Sequence, residues 1–519
     1  MNFRNIHYFK NLNITKIINY YISFFVGYLL LTRVVIFMHI TGDIFNTFIS
    51  SVFAIIGVIL ALYKIVKDFK FFQNKFIIAL AIFFIIACIS TILNIEYGLF
   101  SNLKMLIWVF IHFFLLFSLT NYSKDEYKNA FYTLGFVIVF IMFICSFISI
   151  LQFFFNITFT INLPDYPRVQ GFYNGRLFGV FDDPNYASIA SISSLAFSLF
   201  FAKNTVNKKN KIFFIFNMFI QVSYVILSNS RTGLVGLIIC SIIFAYYKSS
   251  QLIINKKNKL IRRIVSFFMT FFILFTGLFC LREFYAYCPN ILHKEEVVVE
   301  NNVVDDSKNT IDNTSEESKE QNTNQTIENN TLEEKDVQES KEQNTNQSIE
   351  NNALEEKDIQ ESKDQNTNQS IENNALKRED IVADFSNNRF DIWHGALEVS
   401  KDKRVFGVSP RNLIPYAKAN FPYSYTAQTG YETHNGYLSV FVSTGYLGTI
   451  SLAFFILLCI SDLIKKINKK MISQHNIVYY MIIGTMAFST IMLQDVFFMN
   501  TATTVIFWRV LGLNTFGKN

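Results

Sequence analysis

The sequence predicts an all-α polytopic membrane protein with about twelve transmembrane helices and one large external loop. Hydrophobic residues make up 51% of the 519 residues, and only 17% are charged, whereas about 25% is usual in soluble domains. Apolar runs recur at the length of roughly 20 residues that crosses a bilayer as a helix. A single long hydrophilic region separates the last three of these runs from the others.

Hydropathy places the first nine spans within residues 1–281 and three more within 435–519, with residues 282–434 forming the loop. We expect the spans near residues 20–38, 44–63, 75–93, 101–119, 131–155, 186–202, 211–229, 231–247, 263–281, 435–458, 477–494 and 500–516.

The net charge of +6 conceals two regions of opposite sign. Residues 294–384 hold 9 basic and 25 acidic side chains, whereas the remainder holds 37 basic and 15 acidic ones. This composition indicates a basic membrane body with an acidic aqueous insert. It excludes a simple water-soluble enzyme, and it provides no basic patch for nucleic acid.

Lysine and arginine cluster in alternate connections, which sets the orientation of the spans. The short connections near 39–43, 94–100 and 495–499 contain neither residue. By the positive-inside rule both termini are cytoplasmic in a multi-pass protein of the cell membrane, and residues 282–434 lie outside.

The external loop contains three copies of a 22-residue repeat, which begin at Ser318, Ser340 and Ser362. The copies are rich in Asn, Gln, Glu and Ser and contain no aromatic residue, so they bury too little apolar area to offset chain entropy. We interpret residues 318–383 as a disordered insert. A ligand-binding repeat is the alternative, although it lacks aromatic platforms for a sugar.

The six cysteines are scattered and show no metal-ligand spacing. Cys280 and Cys288 could pair on the outer face, although two free thiols are the preferred interpretation. The outer segments lack a D-x-D pair, so we expect neither a metal nor a cofactor.

Arginines occur in outer connections where the positive-inside rule disfavours them. Arg176 lies in the 156–185 connection and Arg231 in the next one. The planar guanidinium binds phosphate oxygens bidentately, so these positions suit a phosphate group presented at the membrane surface. The alternative is that each arginine snorkels or pairs with Asp165, Asp182 or Asp183. Arg33 and Lys104, near other span ends, are expected to snorkel.

Both arginines lie beside helix-start signals. The segment RLFGVFDDPNYAS places Pro184 and Asn185 where a span begins. The segment SNSRTGLVG places Ser230 and Arg231 at the mouth of another span, and its two glycines permit close helix approach.

Two further motifs follow the acidic insert. Phe390, Trp393 and Leu397 recur at helical spacing, which predicts an amphipathic helix on the outer interface that begins at Arg389. The segment ETHNGYLSVFVSTGYLG places His434 and Asn435 where the chain re-enters the membrane.

Together these motifs resemble the O-antigen ligase and O-antigen polymerase superfamily of membrane glycosyltransferases. The resemblance rests on R-x-F-G-x-F-x-x-P-N, S-x-S-R-x-G-x-x-G, R-x-x-x-W with a following F-G, and H-N-G-Y-L with a following G-x-x-G, in that order. The acidic insert departs from the common pattern, but it falls in the loop where such families vary in length.

The resemblance implies a GT-C-like architecture and a metal-independent glycosyltransferase with its active site on the outer face. The donor would be a glycan on undecaprenyl pyrophosphate, and the acceptor another glycan. Arg176 and Arg231 would bind the pyrophosphate and stabilise its leaving charge, with Arg389 as a weaker third candidate. His434 would position or deprotonate the acceptor hydroxyl. The expected substrate-binding residues are Arg389, Asn185, Ser230, Asn435 and Trp393.

The motifs do not separate a polymerase of repeat units, which we favour, from a ligase that transfers the glycan to a lipid, protein or wall acceptor. A flippase and a chain-length regulator are possible partners of either enzyme. A polysaccharide transporter or flippase is the rival from another class, but no internal repeat of spans supports it. A third hypothesis is a sensor whose acidic loop binds a ligand, and the loop is the single feature that supports it.

Deletion of residues 318–383 should leave glycan transfer nearly intact, because the repeats carry no residue that we assign to the chemistry. The measurement is surface polysaccharide from cells that express the wild-type and deleted chains at matched membrane levels. Complete loss of the polysaccharide would contradict our interpretation of the repeats.

Overall fold

The computed structural model describes residues 14–68, 71–164, 167–251, 259–292, 376, 388–468, 474–492 and 496–517. The predicted repeats lie outside these residues. Residues 293–374 are a unit separate from the rest of the chain, and the helices and strands given below belong to the other unit.

The chain before the insert forms nine long helices. They are α1 (Ile14–Leu31), α2 (Val35–Lys67), α3 (Lys75–Leu93), α4 (Leu99–Ile111, extended by a π-helical turn His112–Phe117), α5 (Lys124–Phe154), α6 (Pro184–Asn204), α7 (Lys208–Leu227), α8 (Arg231–Ser250) and α9 (Lys259–Leu292). After the insert come three short helices, α10 (Arg389–Val399), α11 (Leu413–Asn420) and α12 (Tyr425–Thr429), and three long ones, α13 (Gly436–Asn468), α14 (Gln474–Met492) and α15 (Ala502–Phe516).

The predicted all-α membrane architecture is confirmed. Within the described residues, ten helices are long and apolar enough to cross a membrane, namely α1 to α9 and α13. The last two predicted spans correspond to α14 and α15, which are not among these ten. The 15 residues of α15 extend only about 22 Å at 1.5 Å per residue, so the total of twelve stays a prediction.

Some helix boundaries differ from the sequence prediction. The predicted span 20–38 is interrupted, because α1 ends at Leu31 and α2 begins at Val35. The predicted connection at 39–43 is a kink at Gly42 inside α2, where φ is +64°. Helix α9 continues to Leu292, beyond the predicted end of the ninth span at 281.

The connection between α5 and α6 contains a small antiparallel sheet that the sequence analysis did not predict. Its strands are β1 (Phe159–Asn162), β2 (Pro167–Tyr173) and β3 (Arg176–Gly179), in the order β1-β2-β3. Phe159 pairs with Gln170, and Tyr173 pairs with Arg176. The sheet lies at the same end of the bundle as the starts of α6 and α8.

Helices α10, α11 and α12 pack together at this end and have an apolar core of their own. Ala396, Val399, Leu413 and Ala417 are buried in it. The predicted helix at Arg389 is therefore present, and Phe390 and Leu397 are on its exposed face. The three short helices form a lid-like layer over the bundle, which we call the helical cap (residues 388–435).

A buried network of amides attaches the helical cap to α3 and α4. The Asn102 amide nitrogen donates to Asn412 Oδ1 at 2.7 Å, and its oxygen accepts from Ser409 Oγ at 2.5 Å. Asn412 Nδ2 donates to the carbonyl of Asn94 at 2.8 Å, and Asn94 Nδ2 donates to that of Gly407 at 3.1 Å. Since unpaired amides are costly to bury, this network fixes the cap in one position.

Helix α13 is kinked at Gly445, where φ is +64°. Past the kink, the Tyr446 amide donates to the Arg404 carbonyl at 2.7 Å, and the Leu447 amide donates to the Val405 carbonyl at 3.3 Å. The backbone of the cap therefore packs directly against the backbone of α13. A Cβ atom on Gly445 would lie 2.3 Å from the Val405 carbonyl oxygen, so only glycine fits this approach.

The final helix carries a buried cation. Arg509 in α15 is 1% exposed. Its Nη2 donates to Asn19 Oδ1 in α1 at 2.5 Å and to the Tyr122 hydroxyl at 3.4 Å. Its Nη1 donates to the Leu116 carbonyl at 3.4 Å. The first and last described helices are therefore joined through one guanidinium.

Replacement of Gly445 by alanine should destabilise the protein by about 1–3 kcal/mol, since the new methyl group overlaps the Val405 carbonyl. Thermal unfolding in detergent measures the effect. Gly277→Ala is the matched control, because a Cβ there meets nothing within 4 Å. Equal melting temperatures for the two variants would contradict the tight approach at Gly445.

Candidate functional site

A tight hairpin places Arg176. The turn between β2 and β3 consists of Asn174 and Gly175, which both have positive φ, at 47° and 67°. Two successive residues of this kind are typical of a type I′ turn, which Asn-Gly favours. Arg176 is thus the first residue of β3, and its half-buried side chain reaches the starts of α6 and α8.

The side chain of Asn185 connects Arg176 with the start of α8. Arg176 Nη2 donates to Asn185 Oδ1 at 3.0 Å, and Ser230 Oγ donates to the same oxygen at 2.8 Å. Arg176 Nε also donates to the Ser228 carbonyl at 3.3 Å. In the described part of the chain the side-chain nitrogen of Asn185, Nδ2, donates no hydrogen bond, so its hydrogens remain available to a ligand.

The predicted helix starts at Pro184 and Arg231 are confirmed. Asp183 caps α6 by accepting a hydrogen bond from the backbone amide of Asn185 at 2.8 Å. Ser230 caps α8 by accepting one from the backbone amide of Gly233 at 3.1 Å. Both helix N-termini therefore direct partial positive charge toward the predicted outer end of the bundle.

The close helix approach predicted from the two glycines is also present, and the helix that approaches α8 there is α6. A Cβ on Gly233 would lie 2.7 Å from Ser188 Cβ, and one on Gly236 would lie 2.6 Å from Ile192 Cδ1. The hydroxyls of Ser188 and Ser228 are 2.7 Å apart. These contacts hold Asn185 and Ser230 at hydrogen-bond distance.

The structure corrects the interpretation of Arg33 as a snorkelling residue. Arg33 Nη1 donates to Asp182 Oδ2 at 2.9 Å, and its guanidinium carbon lies 5.0 Å from the ring centroid of Tyr186. Burial alone would lower the pKa of Arg33, but Asp182, Tyr186 and Asp183 together outweigh burial and raise it, with Asp182 the largest of the three. Asp182 thus neutralises Arg33, an arrangement that sequence analysis missed because the two residues are far apart in the chain.

Arg389 lies within electrostatic range of both Arg231 and His434. Burial and the charge of Arg231 lower the pKa of Arg389, while burial and the charge of Arg389 lower that of His434. Arg389 Nη1 donates to Met492 Sδ at 3.4 Å, and a thioether is a weak acceptor. Among the described residues, the Arg389 side chain makes this one hydrogen bond. Its charge is therefore not neutralised by a carboxylate of those residues.

The helical cap holds His434 in an unusual backbone conformation. Its φ is +45°, a left-handed value uncommon for residues other than glycine and asparagine. Trp393 Nε1 donates to the carbonyl of the preceding Thr433 at 3.0 Å. Asn435 Oδ1 accepts from the amides of Tyr437 and Leu438 at 3.1 Å each. Trp393 and Asn435 therefore fix the backbone on either side of the imidazole.

All eight residues selected from the sequence thus lie at one end of the bundle. Arg176, Asn185, Ser230 and Arg231 come from the β3, α6 and α8 starts, and the other four come from the cap and the start of α13. Their chemical roles stay predictions. Tyr431 is beside His434, with ring centroids 6.1 Å apart, whereas Tyr416 is buried and packs against Tyr97.

Asn229 is a site neighbour that sequence analysis did not single out. Its φ is +46°, and its amide nitrogen donates to the carbonyls of Gly175 at 3.1 Å and Leu376 at 2.8 Å. The residue before Ser230 therefore holds both the hairpin turn and the end of the insert. The signal in the sequence was the Ser-Asn-Ser run, because asparagine tolerates this conformation.

Among the described residues, no three His, Cys, Asp or Glu side chains come together as a metal site. All six cysteines are free, with Cys280 exposed and Cys288 buried, so the preferred interpretation of two free thiols is confirmed. The arrangement at the arginine end offers guanidinium and amide donors together with one imidazole.

Comparison with known proteins identifies one family. Residues 216–453, a little under half of the chain, match the family model described as O-antigen ligase. The matched region includes Ser230, Arg231, Arg389, Trp393, His434 and Asn435, and it confirms the resemblance drawn from the motifs. Searches of curated proteins and of solved structures found no match.

Replacement of Arg389 by glutamine should raise the pKa of His434, because the substitution removes the positive charge that lowers it. A histidine NMR titration of the purified chain measures the change, with the His434→Asn variant used to assign the signal. Arg404→Gln is the control, since Arg404 is exposed and donates to the Lys401 carbonyl. An unchanged His434 titration in Arg389→Gln would show that the two groups do not interact.

Proposed function

The chain is a membrane protein of the O-antigen ligase and polymerase superfamily, and on this premise we propose that it polymerises repeat units of a surface polysaccharide. The proposed donor is an oligosaccharide on undecaprenyl pyrophosphate, and the acceptor is a second lipid-linked glycan. Ligase-type membrane glycan transfer is the coarser activity that the family supports.

The observation that carries this proposal is the closeness of two like charges, Arg231 and Arg389, from separate segments of the chain. Like charges in a partly buried site repel one another, and a bound dianion would remove that repulsion. A diphosphate ester is such an anion. The helix N-terminus of α8 adds further favourable potential at the same place.

Arg176 completes the proposed pyrophosphate site through the Asn185 bridge. Its guanidinium is oriented by Asn185 and the Ser228 carbonyl, which places its charge beside the starts of α6 and α8. In the proposed reaction the acceptor hydroxyl attacks the anomeric carbon as the bond to the diphosphate breaks. The arginines stabilise the negative charge that develops on the departing diphosphate.

His434 is proposed to accept the proton of the attacking hydroxyl. Its lowered pKa keeps the imidazole neutral, and so able to accept a proton, at near-neutral pH. The left-handed backbone and the Trp393 bond to Thr433 fix its position. The proton taken from the acceptor would remain on the imidazole until the products leave.

The ligase-type alternative has one observation in its favour, namely that the matching family model carries the description O-antigen ligase. The two activities share the donor and the proposed arginine site, and they differ in the acceptor. The glycan profile of cells that lack the protein distinguishes them. Single repeat units on the acceptor indicate loss of a polymerase, whereas unattached lipid-linked polymer indicates loss of a ligase.

The variants Arg231→Gln and Arg176→Gln should each lower transfer about 10²–10³-fold, the range for removal of one donor to a developing anion. His434→Asn should lower it about 10²–10⁴-fold, and asparagine preserves the left-handed backbone. The measurement is surface polysaccharide on gels at matched membrane expression.

The matched controls are Arg404→Gln and His394→Asn, two exposed cap residues to which no role is assigned. Both should retain wild-type glycan. Wild-type glycan from all three well-expressed site variants would reject the assignment of the site.

A further inference from the structure

A cavity of about 340 Å³ lies at the end of α6 and α8 opposite to the arginine site. It is bordered by the end of α6, the start of α7, the end of α8 and the start of α14. Three exposed lysines line it, namely Lys203 from α6, Lys211 from α7 and Lys248 from α8. None of the described lining residues is acidic, so the rim is positive.

Two of the three lysines contact aromatic rings, and no salt bridge to a carboxylate of the described residues involves any of the three. Lys203 Nζ donates to the Tyr247 hydroxyl at 3.3 Å and lies 5.2 Å from the ring centroid of that tyrosine. Lys248 Nζ lies 5.9 Å from the ring centroid of Phe244. These weak contacts orient the ammonium groups but leave their charge uncompensated.

A second, apolar cavity of about 330 Å³ adjoins the first toward the middle of the bundle. Leu199, Met218 and Phe244 line both cavities. On the α9 side the second cavity reaches Gly277 and Ile273, and Ile273 is 65% exposed. Since α9 presents apolar side chains outward, this cavity opens to the lipid side of the bundle.

We propose that the two cavities form a binding site for an anionic phospholipid. The lysines bind the headgroup phosphate, and an acyl chain occupies the apolar cavity between α6, α8 and α9. The basic rim matches the anionic headgroup of such a lipid, and the apolar groove continuous with it matches the acyl chain. The leaflet is the one opposite to the arginine site, which the positive-inside rule predicts to be cytoplasmic.

This site is distinct from the proposed donor site, because the donor pyrophosphate belongs at the other end of α6 and α8. It would stabilise the packing of α6, α7 and α8 from below, where Lys203, Lys211 and Lys248 would otherwise repel one another. Because the two sites are separate, retention of the lipid can be measured on the purified chain without any assay of glycan transfer.

Native mass spectrometry of the full purified chain tests the proposal, with phosphatidylglycerol and phosphatidylcholine of identical acyl chains as probes. The wild type should retain phosphatidylglycerol in preference. The variant Lys203→Gln/Lys211→Gln/Lys248→Gln should bind it about a hundredfold more weakly, given the contribution of each of the three basic residues near a lipid surface. Lys67→Gln/Lys75→Gln/Lys465→Gln removes the same charge from other exposed lysines and should retain the wild-type amount.

A second variant tests the apolar part of the site. A Cβ on Gly277 meets nothing within 4 Å, so Gly277→Phe should fill the groove without distorting α9 and should lower retention of phosphatidylglycerol. Equal retention of the two lipids by the wild type, or equal loss in both triple-lysine variants, would overturn the proposal. Displacement of the lipid by soluble glycerol phosphate alone would also overturn it, since the site would then bind free phosphate.

Discussion

The amide oxygen of Asn185 is the contact on which the arrangement of the arginine end depends. It accepts hydrogen bonds from Arg176 in the hairpin and from Ser230 at the start of α8, while Asn185 itself belongs to the first turn of α6. One acceptor therefore sets the positions of three separate elements. The small residues where α6 meets α8 make this geometry possible, because a side chain at Gly233 would collide with Ser188.

The arginines around this contact have different charged neighbours. Arg33 is neutralised by Asp182 and stabilises the connection between α1 and α6. The charge of Arg231 lowers the pKa of Arg389, and the amide network that anchors residues 407–412 to α3 and α4 fixes the cap that carries Arg389. The structure thus holds positive charge together by packing, which is the preorganisation that an anion-binding site requires.

Sequence analysis predicted the features that depend on local signals. Pro184 and Ser230 marked helix starts because a proline at the first helical position and a serine cap act within one turn. The spacing of Phe390 and Trp393 predicted α10 for the same reason. The family resemblance then linked Arg176, Arg231 and His434, although their closeness could not be read from the chain itself.

The features that sequence analysis missed depend on distant parts of the chain or on short elements. The ion pair between Arg33 and Asp182 joins segments with no common motif. The strands around Asn174 and Gly175 have few residues, and their turn signal stood alone in an otherwise helical pattern. Hydropathy also selected the run at 500–516, but the 15 residues of α15 are enclosed by protein and need not match the thickness of the bilayer.

The buried guanidinium of Arg509 has a consequence for biogenesis. An arginine in the middle of an isolated helix costs about 2.5–3.5 kcal/mol to insert by the translocon, and α15 is too short to offset this with apolar area. Its partners, Asn19 and the Leu116 carbonyl, belong to the earliest segments to be synthesised. Helix α15 can therefore enter the membrane favourably only beside α1 and the end of α4, so its insertion depends on the prior packing of those helices.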